Sequence, residues 1–226
     1  MKNPPTPTLA TAPDPKVMLA DIKATIASPN PLVISVLGDS TSNEPGEWVD
    51  LYAQHLATIG TVSLHFWDQD KSEWSHTVKT YPGPDRKITI WNGSMVGASQ
   101  AFAIENAATL VPERPSFVML NYGHNYVSGG SSATSWRLMS IIDEKWGKTP
   151  AAVMLQNPSI NARAAYSANS VLELKFWAQR FGYPTVDLQS AFTKAGNLKN
   201  LLKNNIDPNP AGSRLWADNV VKVVGP

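Results

Sequence analysis

The stretch LVISVLGDS, residues 32–40, is the starting point for the architecture that we predict. Its first six residues are mostly apolar and β-branched, which is typical of a strand buried on both faces of a sheet. The Gly-Asp-Ser that follows predicts the end of that strand and puts Ser40 at the carboxyl edge of the sheet. Ligands of open α/β sheets bind at this edge, where turns into helices leave backbone N–H groups free. The sequence therefore places Ser40 in a position suited to chemistry.

Strand and helix patterns alternate along the rest of the chain. The predicted strands are 32–37, 61–67, 87–91, 116–122, 151–155 and 185–187. The predicted helices are 16–28, 47–56, about 99–110, one through Trp136, 162–181 and one that starts at Pro210 with Asn209 as its cap; Gly60 and Gly182 are expected to end the second and fifth of these. Residues 69–86 read as a loop or hairpin insertion. Such alternation predicts a mostly parallel sheet with helices on both faces.

Composition narrows the classes of partner. With 226 residues, 42% of them hydrophobic and 16% charged, the chain is long enough for one well-buried core. A net charge of +1 without a basic stripe gives no reason to expect nucleic acid. There is no cysteine, and the histidines (His55, His65, His76 and His124) show no metal-binding spacing. We therefore expect neither a metal nor another cofactor.

The N-terminal segment has its own composition. Residues 1–15 carry five prolines among Asn, Thr and Ala, which is typical of an extended tail or linker, so that one domain is expected over 16–226. The longest apolar runs are about eight residues, too short to span a bilayer. Polar and proline-rich sequence stands where a secretory signal would have its apolar segment. We expect neither a membrane span nor a signal peptide, which leaves the compartment open.

Polar or glycine clusters follow three of the predicted strands. They are Gly38-Asp39-Ser40, Asn92-Gly93-Ser94 and Gly123-His124-Asn125. Because a parallel sheet places the ends of its strands along one rim, residues far apart in sequence meet there. Each cluster also has a simpler interpretation: a turn with a helix cap, a common Asn-Gly turn, and a histidine bonded within its own loop. Their joint order indicates a functional site.

These clusters resemble the motifs of the SGNH hydrolases, also called the GDSL esterase family. The resemblance runs from Gly38-Asp39-Ser40 through Gly93 and the Gly123-x-Asn125 element to the PNPAG segment at 208–212. It implies a three-layer α/β/α sandwich with a flavodoxin-like, mostly parallel sheet of five strands. It also implies that Ser40 is the nucleophile of an ester hydrolase, and that Ser40, Gly93 and Asn125 form its oxyanion hole. The neighbouring Asp39, His124 and Tyr126 are candidate substrate-binding residues.

The phrases GDSTSNEPGEWV, ITIWNGS and NYGHNY are also similar to those of tail-associated proteins of actinobacterial phages. That narrower similarity implies a location in the virion tail and other tail proteins as partners. Several aromatic residues fall near the predicted rim or the insertion: Trp67, Trp74, Trp91, Tyr122 and Tyr126. Aromatic faces suit sugar rings, but core or edge packing explains such residues equally well.

The family's last motif, Asp-x-x-His-Pro, departs from the pattern here. The chain has Asn204-Asn205-Ile206-Asp207-Pro208, so Asp207 stands at the position of the histidine and Asn204 at that of the aspartate. No histidine follows His124. Deleting the histidine of a serine-hydrolase triad costs on the order of 10⁶ in kcat. An aspartate, with a reference pKa of about 3.9, is a poor base for a hydroxyl at neutral pH.

Several interpretations of Asp207 stay open at this point. Asp207 is a weak base, or an acidic residue stabilised by the N-terminus of the following helix, or an engineered replacement of the histidine. In a further alternative, His124 reaches in from the opposite loop and acts as the base. Two functions follow. One is a serine esterase, active or impaired, that acts on acyl or acetyl esters of cell-envelope carbohydrate. The alternative is a catalytically silent glycan-binding module of a phage tail.

Overall fold

The computed structural model describes residues 12–160, 162 and 164–226. Of the predicted tail 1–15, residues 1–11 lie outside the described residues, and Pro15 already begins the first helix, α1 (Pro15–Ala27). Proline suits this first turn because its missing N–H would have no partner there. The Asp14 side chain caps the helix by accepting a hydrogen bond from the Lys16 N–H at 2.9 Å. The N-terminal helix expected at 16–28 is thus confirmed.

An eight-stranded sheet forms the middle layer. Its strands are β1 (Leu32–Gly38), β2 (Thr61–Asp68), β3 (Glu73–Trp74), β4 (Lys79–Tyr81), β5 (Lys87–Asn92), β6 (Phe117–Asn121), β7 (Ala151–Leu155) and β8 (Thr185–Asp187). The strand order is β3-β2-β5-β1-β6-β7-β8, with β4 also paired to β2. The strands from β2 to β8 in this order are mutually parallel, whereas β3 and β4 run antiparallel to β2.

The predicted fold class is confirmed. Strands β5-β1-β6-β7-β8 have the flavodoxin-like order, and β2 adds a sixth parallel strand beyond β5, so the expected count of five strands is too low. All six strands predicted from the sequence are present. The insertion at 69–86 folds back as β3 and β4, which pair with β2.

Helices cover both faces of the sheet. They are α2 (Trp48–Leu56), α3 (Gln100–Leu110), α4 (Ser131–Trp146), α5 (Ala164–Phe181), α6 (Leu188–Ala195) and α7 (Pro210–Val224), with a 3₁₀ turn at Leu198–Asn200. Side chains of α1, α2, α6 and α7 form one buried cluster and those of α3, α4 and α5 another. Consecutive strand residues divide between them: Val36 of β1 joins the first cluster and Leu37 the second. This alternation produces the three layers.

Two glycines behave differently from each other. Gly182 ends α5 with a φ of +73°, in the left-handed region where glycine is favoured, as predicted. Gly60 does not end α2, which stops at Leu56. A Cβ on Gly60 would stand 2.7 Å from the backbone oxygen of Arg86, so this glycine serves a close approach of two chain segments.

The C-terminal part holds one predicted and one unpredicted helix. Asn209 caps α7 by accepting hydrogen bonds from the Ala211 and Gly212 N–H groups, as expected. Helix α6 was not predicted; it follows β8 directly, and the Asp187 side chain caps it by accepting from the Ser190 N–H at 2.9 Å. Among the described helices, none combines the length and apolarity that crossing a bilayer requires.

Candidate active site

Three loops meet at the carboxyl edge of the sheet, as the sequence predicts. Strand β1 lies between β5 and β6, and its last residues pair with theirs: Val36 with Asn92, and Gly38 with Asn121. The loops that follow these strands therefore start side by side. A fourth segment, the loop before α7, contacts the first of these loops. Ser40 Oγ donates a hydrogen bond to Asp207 Oδ1 at 2.8 Å.

The side chain of Asn204, in the loop before α7, holds Asp207 in place. Asn204 Nδ2 donates to Asp207 Oδ2 at 2.7 Å, while Asn204 Oδ1 accepts from the backbone N–H groups of Ile206 and Asp207, each at 2.7 Å. One carboxylate oxygen thus faces Ser40 and the other is fixed by an amide. The structure brings together all three residues that the sequence proposed for nucleophile, base and base-orienting group.

Lys203 ties this loop to the segment after Ser40. Its Nζ contacts Glu44 Oε2 and Glu47 Oε1, both at 3.0 Å. Burial raises the pKa of the Glu47 carboxyl to about 7, and its hydrogen bond from the Glu44 backbone and the charge of Lys203 oppose that rise. The anchor therefore includes a carboxyl that titrates near neutral pH.

Asp39 lies behind Ser40 and has no exposed surface. Its carboxylate accepts from the Thr41 N–H at 3.1 Å, from Thr41 Oγ1 at 2.7 Å and from Gln156 Nε2 at 3.0 Å. Burial raises its pKa, against the opposing effects of the nearby His124 and of these hydrogen bonds. A fully buried carboxylate does not fit the predicted contact with substrate. Asp39 instead fixes the turn that presents Ser40.

Asn125 lies between the loop after β1 and the loop after β5. Its Nδ2 donates to the Ala98 carbonyl at 3.0 Å and stands 3.5 Å from Asp39 Oδ2. Asn125 is half-buried. This position is compatible with the predicted role of Asn125 as a donor toward an oxyanion.

Gly93 does not have the geometry expected of it. Its N–H donates to the Val36 carbonyl at 2.8 Å, and a Cβ would meet the Leu110 and Leu37 side chains. Because this N–H is already paired inside the sheet, the structure contradicts the prediction that it donates to an oxyanion. Gly97, four residues later, is exposed, has a φ of +73°, and its N–H has no hydrogen-bond partner within the described residues.

Gly97 was not among the residues predicted for the site. It precedes Ala98, whose carbonyl holds Asn125, so it belongs to the loop that borders the site. The signal was present as a second glycine in the segment NGSMVGA, 92–98. The family resemblance placed the oxyanion-hole glycine at Gly93, directly after the strand, and the alternative for the Asn92-Gly93 pair was a common turn.

His124 is turned inward. Its side chain is 1% exposed, ring Nε2 stands 2.8 Å from the Asn157 carbonyl, and its backbone N–H donates to Gln156 Oε1 at 2.8 Å. This contradicts both the predicted substrate contact and the interpretation that His124 reaches Ser40 as a base. The simpler interpretation, a histidine bonded among its neighbouring loops, fits the structure.

The aromatic residues divide into packed and exposed ones. Trp67 is 8% and Tyr122 2% exposed, and the Trp74 ring packs edge-on against both Trp67 at 5.4 Å and Trp91 at 4.8 Å. Packing explains these four. Tyr126, by contrast, is 71% exposed beside Asn125, which is compatible with its predicted contact with a ligand.

No family model and no curated protein matches this sequence. Solved structures do match it. A putative GDSL-like lipase from Parabacteroides merdae is 14% identical with a TM-score of 0.64, and the match covers 87% of this chain and 96% of that one. The lipase/acylhydrolase from Enterococcus faecalis is 16% identical with a TM-score of 0.63, over 86% and 95% of the two chains. The fold is that of the SGNH hydrolases.

Two further structural neighbours are esterases of acetylated polysaccharides. One is a two-domain esterase active on acetylated mannans, 19% identical with a TM-score of 0.63; the match covers 92% of this chain but 51% of that chain, so this chain spans about half of its length. The other is a catalytic mutant of an acetylxylan esterase from Geobacillus stearothermophilus, 14% identical with a TM-score of 0.65, over 87% and 95%. At these identities the likeness establishes the fold alone.

Proposed function

We propose that this chain is an SGNH-type serine ester hydrolase in which Asp207 takes the place of the usual histidine. The observation that carries the proposal is the 2.8 Å hydrogen bond from Ser40 Oγ to Asp207 Oδ1, with Asn204 bonded to the other carboxylate oxygen. A nucleophile bonded to a base, and the base bonded to an orienting group, is the geometry of covalent acyl transfer.

The proposed oxyanion hole is formed by the loops that follow β1, β5 and β6. It consists of the Ser40 N–H, the Asn125 side-chain amide and the Gly97 N–H. Donors fixed in advance at this place stabilise the negative oxygen of the tetrahedral intermediate. The 3.5 Å contact between Asn125 Nδ2 and Asp39 is longer than a good hydrogen bond, so one amide hydrogen of Asn125 is available.

The reaction follows from these positions. Ser40 Oγ attacks the ester carbonyl carbon while its proton moves to Asp207 Oδ1, and the carbonyl oxygen becomes the oxyanion. Collapse of the intermediate releases the alcohol, which takes the proton, and leaves an acyl group on Ser40. Water then attacks the acyl-serine with the same assistance. Because a carboxylate is a weaker base than imidazole, we expect turnover well below that of a triad with histidine.

The proposed substrates are acyl or acetyl esters of cell-envelope carbohydrate. Support comes from the neighbours active on acetylated mannan and acetylxylan, the first of which is about twice as long as this chain. A place in a phage tail, with other tail proteins as partners, is also part of the proposal and rests on the three sequence phrases alone.

Hydrolysis of p-nitrophenyl acetate tests the role of Ser40. We expect Ser40→Ala to lower the rate to the uncatalysed background, because within the described residues Ser40 supplies the only hydroxyl that is hydrogen-bonded to the Asp207 carboxylate. Ser140→Ala is the matched control, since the Ser140 hydroxyl donates only to the Trp136 carbonyl of its own helix. Equal rates for the parent chain, S40A and S140A would remove Ser40 from the mechanism.

The second candidate function is a glycan-binding module without turnover. It is favoured by one observation: His124 is buried and bonded to Asn157, so the described structure offers no histidine to Ser40. This alternative predicts that the chain binds an envelope oligosaccharide while neither it nor S40A hydrolyses an ester above background.

A further inference from the structure

A cavity of about 260 Å³ lies beside the candidate active site and plays no part in the proposed chemistry. Its walls include the rings of Tyr126 and Tyr166 and the side chains of Asn169 and Glu173. Its floor includes the backbone at Gly130, ahead of α4. The volume is just below the usual range of small-molecule sites, about 300–1,000 Å³, so the cavity suits a ligand of one ring.

The cavity is joined to the oxyanion side of the site through Tyr166. The Tyr166 hydroxyl donates to the Asn125 carbonyl at 3.3 Å and accepts from the Val127 N–H at 3.0 Å. Tyr166 thereby fixes the backbone on both sides of Tyr126. Tyr126, which lines the cavity, directly follows Asn125, the proposed donor to the ester carbonyl, in the chain.

The aromatic wall is exposed. Tyr126 has 71% of its surface free, and its ring centroid stands 5.6 Å from that of Tyr166 with 44° between the planes. An exposed tyrosine offers an apolar face with a polar tip, which matches a sugar ring with its C–H face and its hydroxyl groups. Apart from this contact with Tyr166, the Tyr126 ring faces solvent, in contrast to the buried Trp67.

Charge narrows the class of ligand. Glu173 is the only charged residue among those that line the cavity. Its Oε2 accepts from the Ser131 N–H at 2.7 Å, and its Oε1 has no hydrogen-bond partner in the part of the chain that the structure describes. A free carboxylate oxygen accepts from a sugar hydroxyl but repels a carboxylate or phosphate.

We infer that this cavity binds a neutral sugar ring of a glycan, next to the ring whose ester lies at Ser40. The inference rests on the proposed function, because it assigns the neighbouring position of that substrate. Tyr126 supplies the stacking face, and Glu173 Oε1 and Asn169 supply the polar contacts. The cavity thus selects for a polysaccharide ester and against a lipid ester, which has no second ring to place there.

Calorimetric titration with mannopentaose and xylopentaose tests the inference in the full chain. We expect Tyr126→Ala to weaken binding of the preferred pentasaccharide by about tenfold, the effect of losing one aromatic stacking contact. Phe176→Ala is the matched control, because Phe176 is an equally exposed aromatic (67%) on α5 that does not line the cavity. Equal affinities for the parent chain, Y126A and F176A, or no binding of either sugar, would overturn the inference.

A charged probe tests the role of Glu173. Pentagalacturonate is expected to bind the parent chain at least about tenfold more weakly than the neutral sugars, and Glu173→Gln to narrow that gap, since glutamine keeps the acceptor but removes the charge. A gap unchanged in E173Q would contradict the charge argument. Sugar binding that depends on Tyr126, together with p-nitrophenyl acetate rates unaffected by S40A, would refute the proposed hydrolase and leave the cavity as a sugar site.

Discussion

The surroundings of Ser40 differ in burial between the ends of the sheet strands, here called the strand side, and the loop before α7, here called the loop side. On the strand side, Gln156 donates from Nε2 to Asp39 Oδ2 and to Asn121 Oδ1, both at 3.0 Å, and accepts from the His124 N–H at 2.8 Å. All four residues are at least 98% buried. Every polar group there depends on the others, because water does not reach them to replace a lost partner.

On the loop side, Asp207 is half-buried and its partner Asn204 is exposed. The loop is attached through Lys203 and through the Ser40 hydrogen bond. It is also attached to the segment after β7, because Asn157 Nδ2 donates to the Ile206 carbonyl and the Ile160 N–H donates to the Asn205 carbonyl, each at 2.9 Å. Water replaces a lost contact here at little cost. The strand side therefore constrains the fold and the position of Ser40 together, whereas Asp207 lies on a more exposed segment.

Restoring the Asp-x-x-His motif gives the largest effect that we expect, and it tests whether the strand side is intact. The double change Asn204→Asp with Asp207→His puts an imidazole and an orienting carboxylate on the loop before α7. If the strand side is intact, we expect p-nitrophenyl acetate hydrolysis to rise by about 10³-fold or more, since the histidine of a triad is worth orders of magnitude in kcat. Adding S40A must abolish the gain. A rate that stays at the parent level would show that the pocket itself has diverged.

Stability separates the two sides directly. Gln156→Leu removes the donor to Asp39 and leaves a buried carboxylate and the His124 N–H short of partners, so we expect the free energy of unfolding to fall by about 3 kcal/mol. Asn204→Ala, on the loop, is expected to cost less than about 1 kcal/mol. Urea unfolding of the two variants measures both values. Equal losses in the free energy of unfolding for the two variants would contradict the difference between the strand side and the loop side.

The loop anchor adds a smaller, pH-dependent effect. Since burial raises the pKa of Glu47 from 4.5 to about 7, the unfolded chain releases this proton first as the pH rises. The stability that the protonated carboxyl provides is complete below about pH 4.5 and is lost as the pH rises through about 7. We expect the parent chain to lose roughly 2 kcal/mol relative to Glu47→Gln between pH 5 and pH 8. Parallel stability curves from urea unfolding would contradict this.

The sequence was most informative where burial dictates residue type. Runs such as LVISVL pack on both faces and therefore show the apolar pattern of a central strand, which is why all six parallel strands were predictable. Helix α6 was missed because it follows β8 without a connecting loop and starts from Asp187, which belongs to the strand. Its short polar-apolar pattern gave no separate start signal.

The site was predictable in its outline and not in its hydrogen bonds. The order of the motifs brought Ser40, Asn125, Asn204 and Asp207 to one rim, because strand ends of a parallel sheet share an edge. Whether a backbone N–H is free depends on the neighbouring strand, as the pairing of Gly93 with Val36 shows. Whether a side chain faces in or out of a loop depends on contacts such as that of His124 with Asn157. Neither the pairing of an N–H group nor the orientation of a loop side chain can be predicted from the local sequence.

The two margins of the sheet have a consequence for how this molecule behaves at high concentration. At one edge of the sheet, β8 comprises only Thr185–Asp187. At the other edge, β3 and β4 pair with β2 and cover it. Long uncovered strands recruit strands from other molecules and start aggregates, and short or overlaid ones do not. The insertion at 69–86 therefore covers β2, and we expect that shortening it would expose β2 to pairing with strands of other molecules.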